Sequence, residues 1–250
     1  MVTRKALIIG SPDKNIPGVN IDITNMNSFL KSPIGGAWRE SEIINLTNPS
    51  IDLIKSHVNK LSVFDYSFIF FAGHGYYSES KDCTMLNVNE NEKLESLFLR
   101  KGAKKHTLVL DCCRKLEKIR ILKEAAMENY SLDSANLQKI DLDECRKYFD
   151  KEISLCDTGL VVMNSCDIDE YAGESETDGG YYTSSLIKSA KKFANDKLYT
   201  INLTTHYARY NTKICHEKAS ARVKELSGDK QNPVFEGQRS APKFPFVIVA

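Results

Sequence analysis

Two short segments of the chain hold residues whose types and spacing could do covalent chemistry. His74 follows the apolar run Phe70-Phe71-Ala72 within Gly73-His74-Gly75, and Cys113 follows Leu108-Val109-Leu110 within Asp111-Cys112-Cys113-Arg114. If each run is a strand of one parallel sheet, both side chains leave the sheet at neighbouring strand ends and meet in one crevice. A thiol and an imidazole so placed are a nucleophile and its base: thiolate attacks, and imidazole takes the proton or protonates a leaving amine. Glycines on both sides of His74 leave room for a substrate backbone, which a packing histidine does not need. The backbone N–H groups of Gly75 and Cys113 are then natural donors to a carbonyl oxygen that becomes an oxyanion. Cys112 is the rival nucleophile, but adjacent residues of an extended strand point to opposite faces, so only one of the two can face the base. A phosphatase loop would place an arginine six positions past its cysteine; that position past Cys113 is Ile119, and the intervening loop has no glycines to cradle phosphate.

Charge suggests what such a site would accept. Asp111 lies two residues before Cys113 and shares its face of the strand, and Asp22 comes from the loop and helix after the first strand. Two carboxylates in a partly closed pocket repel each other unless a cation sits between them, so a substrate Lys or Arg supplies the missing partner. The competing reading makes Asp22 a cap of its own helix and Asp111 an organiser of its loop.

The elements that must position these residues follow from periodicity. Short apolar runs alternate with helical stretches, the pattern of a parallel sheet covered on both faces. Strands are expected at Lys5 to Ile9, Glu42 to Leu46, Tyr66 to Ala72, His106 to Asp111, Gly159 to Asn164 and Phe244 to Val249, the last as the sixth of the sheet. Helices are expected at Ile21 to Leu30, from Ser50 to about Lys60, around Leu94 to Phe98, at Tyr181 to Ala194 and at Thr205 to Leu226. Gly73 to Asp82 reads as a polar loop or hairpin, and Lys115 to about Leu155 as a charged helical insert. Ligands collect outside the carboxyl ends of such strands, which directs attention to Gly10 to Asn20, Gly73 to Tyr77, Asp111 to Arg114 and Ser165 to Gly180.

Composition narrows the alternatives. The 250 residues are 42 % hydrophobic, enough for a substantial core, and read as one domain over residues 1–250. Lys plus Arg number 34 against 33 Asp plus Glu, a net charge of +1, so nucleic acid is not an expected partner. The amino-terminal apolar run ends after about five residues, short of a secretory signal's roughly 7 to 15. No apolar stretch approaches the roughly 18 residues of a membrane span, so no membrane association is expected and the expected location is the cytoplasm. Seven cysteines, an odd number without CxxC spacing, read as reduced thiols and not as a disulfide framework or zinc site.

Phe-Ala-Gly-His-Gly after one strand and Leu-Asp-Cys-Cys-Arg after the next resemble the His-Gly and Asp-x-Cys motifs of the caspase and metacaspase superfamily of cysteine peptidases. Gly18-Val19-Asn20-Ile21-Asp22 with Met26 and Phe29-Leu30 is similar to that family's first helix, and Ser165-Cys166 through Gly179-Gly180-Tyr181-Tyr182-Thr183 to the segment after its fifth strand. Lys115 departs from the family's usual glycine, and the 39 positions from His74 to Cys113 are slightly short, which suggests a trimmed hairpin. The resemblance implies an α/β fold, a caspase-like three-layer sandwich with a central six-stranded, mostly parallel sheet and helices on both faces. It selects Cys113 over Cys112 as nucleophile, with His74 as base and acid and Gly75 and Cys113 as oxyanion donors. It also implies substrate binding by Asp22 and Asp111, cleavage after Arg or Lys of a protein substrate, and regulated proteolysis, with an activating protein as a candidate partner. No metal or organic cofactor is required for that reaction. Calcium activation occurs in some metacaspases, but neither Asp141, Asp143 and Glu144 nor Asp167, Asp169 and Glu170 has a ligand-loop spacing. Self-cleavage would fall among Lys115, Lys118, Arg120, Lys123, Lys139, Arg146, Lys147 and Lys151, residues that a solvated helical face would equally need. Two alternatives stand beside this reading: a catalytically silent binding or assembly module, and a peptidase of aspartate specificity using Arg39 or Arg114.

Overall fold

The structure is a computed structural model that describes residues 2–116, 140–175, 177–203, 205–237 and 243–250. In chain order the first half contains β1 (Arg4–Ser11), α1 (Gly18–Lys31), β2 (Ile43–Thr47), α2 (Ile51–Asn59), β3 (Tyr66–Gly73), β4 (Gly75–Ser78), β5 (Cys83–Asn87), β6 (Lys93–Glu95), α3 (Ser96–Leu99) and β7 (Lys105–Asp111). The second half contains α4 (Leu142–Leu155), β8 (Gly159–Asn164), β9 (Glu174–Ser175), β10 (Gly179–Gly180), α5 (Tyr181–Leu198), β11 (Ala208–Asn211), α6 (Thr212–Ser227), β12 (Val234–Gly237) and β13 (Pro245–Val249).

Six strands form the central sheet in the order β12-β8-β7-β3-β1-β2, parallel throughout except for β12, which runs antiparallel to β8. Alternation along the strands builds the two layers around it. Ala6 and Ile8 of β1 with Phe68 and Phe70 of β3 join the core under α1, α4, α5 and α6, while Leu7, Ile9, Ile69 and Phe71 pack with Ile54 and Val58 of α2 and Leu99 of α3 on the other face. Helix starts follow local chemistry: Ser50 Oγ accepts the Leu53 N–H (3.3 Å), Asp141 Oδ1 that of Glu144 (2.9 Å) and Asn211 Oδ1 that of Ile214 (3.0 Å). The buried Arg4 guanidinium ties β1 to α4, donating to the Gly36 carbonyl (3.0 Å), pairing with Asp150 (3.4 Å) and lying 4.6 Å over the Trp38 ring.

Three expectations are corrected. The segment Phe244 to Val249 is not the sixth strand of the central sheet: β13 pairs antiparallel with β11 on the helical side, where Phe246 stacks on Phe29 of α1 (5.1 Å between ring centres). An apolar run reports burial, and burial against helices reads the same as burial in a sheet; the sixth strand is the half-buried β12. The helix expected from Thr205 begins only at Thr212, because Ala208–Asn211 is spent on pairing with β13. The expected hairpin after β3 is an antiparallel three-stranded sheet, β4-β5-β6, which takes Leu94 into β6 and leaves α3 as a single turn. Of the charged insert, the part from 140 ends in α4; Lys118, Arg120, Lys123 and Lys139 lie outside the described residues. No described helix is long and apolar enough to cross a membrane.

Candidate active site

Strand register decides which residues share the carboxyl edge of the sheet. In the β3·β7 pair Ala72 is level with Asp111, so His74 and Cys113, each two residues further on, leave neighbouring strands at the same height. In the β1·β3 pair Ser11 is level with Gly73, which brings the loop after β1 to the same edge. One cleft results, lined among others by His74, Gly75, Cys113, Asp22, Asp111 and Glu174. All five residues singled out from the sequence therefore lie around one concavity, although they come from three separate parts of the chain.

Gly75 brings two of these segments into close contact. A side chain there would stand 2.9 Å from Cys112 Sγ and 2.9 Å from the Cys113 carbonyl oxygen, so only glycine lets β4 pass the end of β7 at this distance. The two adjacent cysteines differ in setting. Cys112 is buried in the core beside Leu110, and its thiol is pushed far up by that burial and by the neighbouring thiols Cys166 and Cys113. Cys113 is half-buried; its Sγ accepts the Ala172 N–H (3.3 Å) and lies 3.7 Å from the Ala172 carbonyl oxygen. Burial raises the Cys113 thiol, against the pull of that N–H. His74 Nε2 lies 3.0 Å from Asp13 Oδ2, in the loop between β1 and α1.

The two predicted carboxylates are both nearly inaccessible, Asp22 at 2 % and Asp111 at 6 % exposure. Asp22 does not cap its own helix: α1 starts at Gly18, and both Asp22 oxygens instead accept the Gly180 N–H (2.9 and 3.0 Å). Asp111 accepts the Thr183 N–H (3.0 Å) and hydroxyl (2.5 Å), and so supplies the cap that α5 lacks locally. The pair therefore clamps the start of α5 between β7 and α1. Burial, followed by the charge of Asp111, holds the Asp22 carboxyl well above the usual carboxylate range; Asp111 is raised by burial, against its bonds from Thr183 and Ser165.

Sequence reasoning passed over Asp13 at this site, and placed Ala172 and Glu174 only in the segment that resembles the family's stretch after its fifth strand, without a role. Asp13 falls inside a strand-end segment flagged by topology, but carries no local pattern that singles it out. Of the alternative cations, Arg114 is buried and donates to Thr84 Oγ1 (3.1 Å) and the Cys166 carbonyl (3.3 Å). Arg39 begins the turn at Glu40–Glu42, and neither arginine lines the cleft. Lys115 does line it, with Nζ held by the Asp169 carbonyl oxygen (2.9 Å) and carboxylate (2.9 Å) over the Tyr171 ring. Four of the six acidic residues considered for calcium have other partners: Asp141 caps α4, Glu144 pairs with Lys147, Asp169 with Lys115, and Glu170 accepts from Asn232. Among the described residues no three His, Cys, Asp or Glu side chains are placed to share a metal ion.

Comparisons with known proteins agree with this architecture. A family model described as a caspase domain matches residues 3–245. The fold is similar to the crystal structure of caspase-1 from Spodoptera frugiperda, at 12 % identity and a TM-score of 0.56, covering 94 % of this chain and 86 % of that one. No curated protein matches by sequence.

Proposed function

The chain belongs to the caspase-like cysteine peptidase superfamily, and from that premise we propose that it is a cysteine endopeptidase that hydrolyses peptide bonds after Arg or Lys. The observation that carries this reading is the shared cleft at the carboxyl edge of β3 and β7, where strand register sets His74 and Cys113 at one height. In the proposed reaction Cys113 Sγ gives its proton to His74 and attacks the scissile carbonyl carbon, and the carbonyl oxygen gains the negative charge. Backbone N–H groups of Gly75 and Cys113 stabilise that oxyanion. As the tetrahedral centre collapses, the C–N bond breaks and the amine leaves with the proton from His74. Water then adds to the thioester, again passing a proton to His74, and the acid product departs as the C–S bond breaks and the proton returns to sulfur.

A preference for Arg or Lys is supported by the charge of the cleft. Asp22, Asp111 and Glu174 line it together, and its one lysine is neutralised by Asp169. Two buried carboxylates whose pKa values are raised are an arrangement that a guanidinium or ammonium group relieves. The test is hydrolysis of reporter peptides ending in Arg, Lys or Asp, with Cys113→Ala alongside and calcium present or absent. Cleavage after Arg or Lys that disappears in Cys113→Ala is expected. Cleavage after Asp would overturn the assignment of Asp22 and Asp111, and an unreactive Cys113 would favour a silent binding module.

A further inference from the structure

Three neighbouring strands deliver residues to this edge, and the third has no role in the reaction written above. Asp13 follows the end of β1 by two residues, and Ser11 at that end is level with Gly73, the residue before His74. Its two oxygens are divided between different tasks. Oδ1 accepts the N–H groups of Asn15 (2.7 Å) and Ile16 (3.1 Å), which fixes the carboxylate in a turn of its own loop, and Oδ2 is thereby presented to His74 Nε2 at 3.0 Å. Although partial burial pushes the Asp13 carboxyl up, these N–H bonds and the imidazole hold it below the usual range, so at neutral pH it is an anion that can only accept.

We infer that Asp13 is a positioning residue that fixes the tautomer of His74, placing hydrogen on Nε2 and leaving Nδ1 as the atom through which the reaction's proton passes. The inference rests on the peptidase reading for its catalytic consequence but not for the tautomer itself. An acceptor opposite Nε2 requires Nε2–H, and a neutral imidazole then has its lone pair on Nδ1. When Nδ1 takes the Cys113 proton, the resulting imidazolium faces the Asp13 carboxylate, which stabilises the charge without accepting the proton.

The divided roles of the two oxygens make the test unusually sharp. In Asp13→Asn the one remaining oxygen is held by the Asn15 and Ile16 N–H groups, so the amide NH2 is turned toward His74 Nε2. That group donates, which moves the imidazole hydrogen to Nδ1 and removes the lone pair the reaction needs. Asp13→Ala leaves the tautomer free. The isosteric variant is therefore expected to be the worse one, with kcat/KM falling about a hundredfold in Asp13→Asn and about tenfold in Asp13→Ala. A residue that merely braced its loop would give the opposite order. In the His74→Ala background neither substitution should reduce the residual rate further.

A measurement without substrate accompanies the kinetics: 15N spectra of the five histidines, with the His74 ring identified by its loss in His74→Ala, at a pH where that ring is neutral. The expected result is hydrogen on Nε2 in the wild type and on Nδ1 in Asp13→Asn. An unprotonated Nε2 in the wild type, an unchanged tautomer in Asp13→Asn, or equal losses for Asn and Ala would each overturn the inference. If the wild type cleaves no peptide, the peptidase reading fails while the spectra still decide the role of Asp13.

Discussion

Replacing Asp22 by Asn is expected to stabilise the protein while weakening the binding of a basic side chain proposed above. Oxygens of Asp22 and Asp111 lie 3.1 and 2.5 Å from the point that a Gly180 side chain would occupy. They are therefore no more than about 6 Å apart, a separation at which two negative charges repel by about 3 kcal/mol at an effective dielectric constant of ~20. Asn keeps an acceptor for the Gly180 N–H but loses the charge on it, which costs about 1 kcal/mol. The net gain of about 2 kcal/mol corresponds to a Tm higher by roughly 4 to 8 °C for a chain of this size. The sign of the pH dependence follows from burial and from Asp111, which raise the Asp22 carboxyl in the folded protein. A raised carboxyl contributes its stability fully below the unfolded value of about 3.9 and loses it as pH rises through the folded value. Wild type and Asp22→Asn should thus coincide near pH 4 and separate as pH rises, with the variant the more stable at pH 8. Thermal and urea unfolding at pH 4, 6 and 8 measure this directly, and agmatine at pH 8 should raise the Tm of the wild type only. A variant less stable at pH 8, or a gap that does not change with pH, would refute the reasoning.

The other predictions concern the same edge and one distant cap. Burial raises the Cys113 thiol, so its alkylation by iodoacetamide, followed by peptide mass mapping, should be slow at pH 7.5 and still be accelerating past pH 9; a plateau below pH 8 would show a stabilised thiolate instead. Gly75→Ala places a methyl group 2.9 Å from Cys112 Sγ and from the Cys113 carbonyl oxygen. It should cost about 1 to 3 kcal/mol in urea unfolding and lower kcat more than KM. Ser50→Ala removes the acceptor at the start of α2 and should cost about 1 kcal/mol with peptidase activity unchanged.

The strands that build the site were legible because burial on two faces leaves an unbroken apolar run. Tyr66 to Ala72 and His106 to Asp111 each fall within a residue of their observed bounds, and Gly159 to Asn164 coincides with them. Met26, Phe29 and Leu30 likewise marked the inner face of α1. Strands of three to five residues with mixed polarity, such as β5, β6 and β11, were not readable, since their pairing partners and not their own composition make them strands. At the site, a residue next to a conspicuous strand end could be picked out as a candidate, and His74 and Cys113, picked out in that way, line one cleft. What could not be read was pairing over distance. Asp13 and His74 are 61 positions apart, and Asp22 and Gly180 are 158. Asp22 near a helix start reads as a cap until the helix is seen to begin four residues earlier, at Gly18.

Covalent titration with a peptidyl chloromethyl ketone tests the central claim most directly. The thiolate displaces chloride from such a probe, forming a thioether that intact-mass spectrometry counts and peptide mapping locates among the seven free cysteines. The account predicts one adduct, at Cys113, from a probe ending in Arg or Lys, with labelling lost in His74→Ala and much slower in Asp22→Asn. Faster labelling by a probe ending in Asp, or adducts spread over several cysteines with Cys113 not preferred, would contradict it.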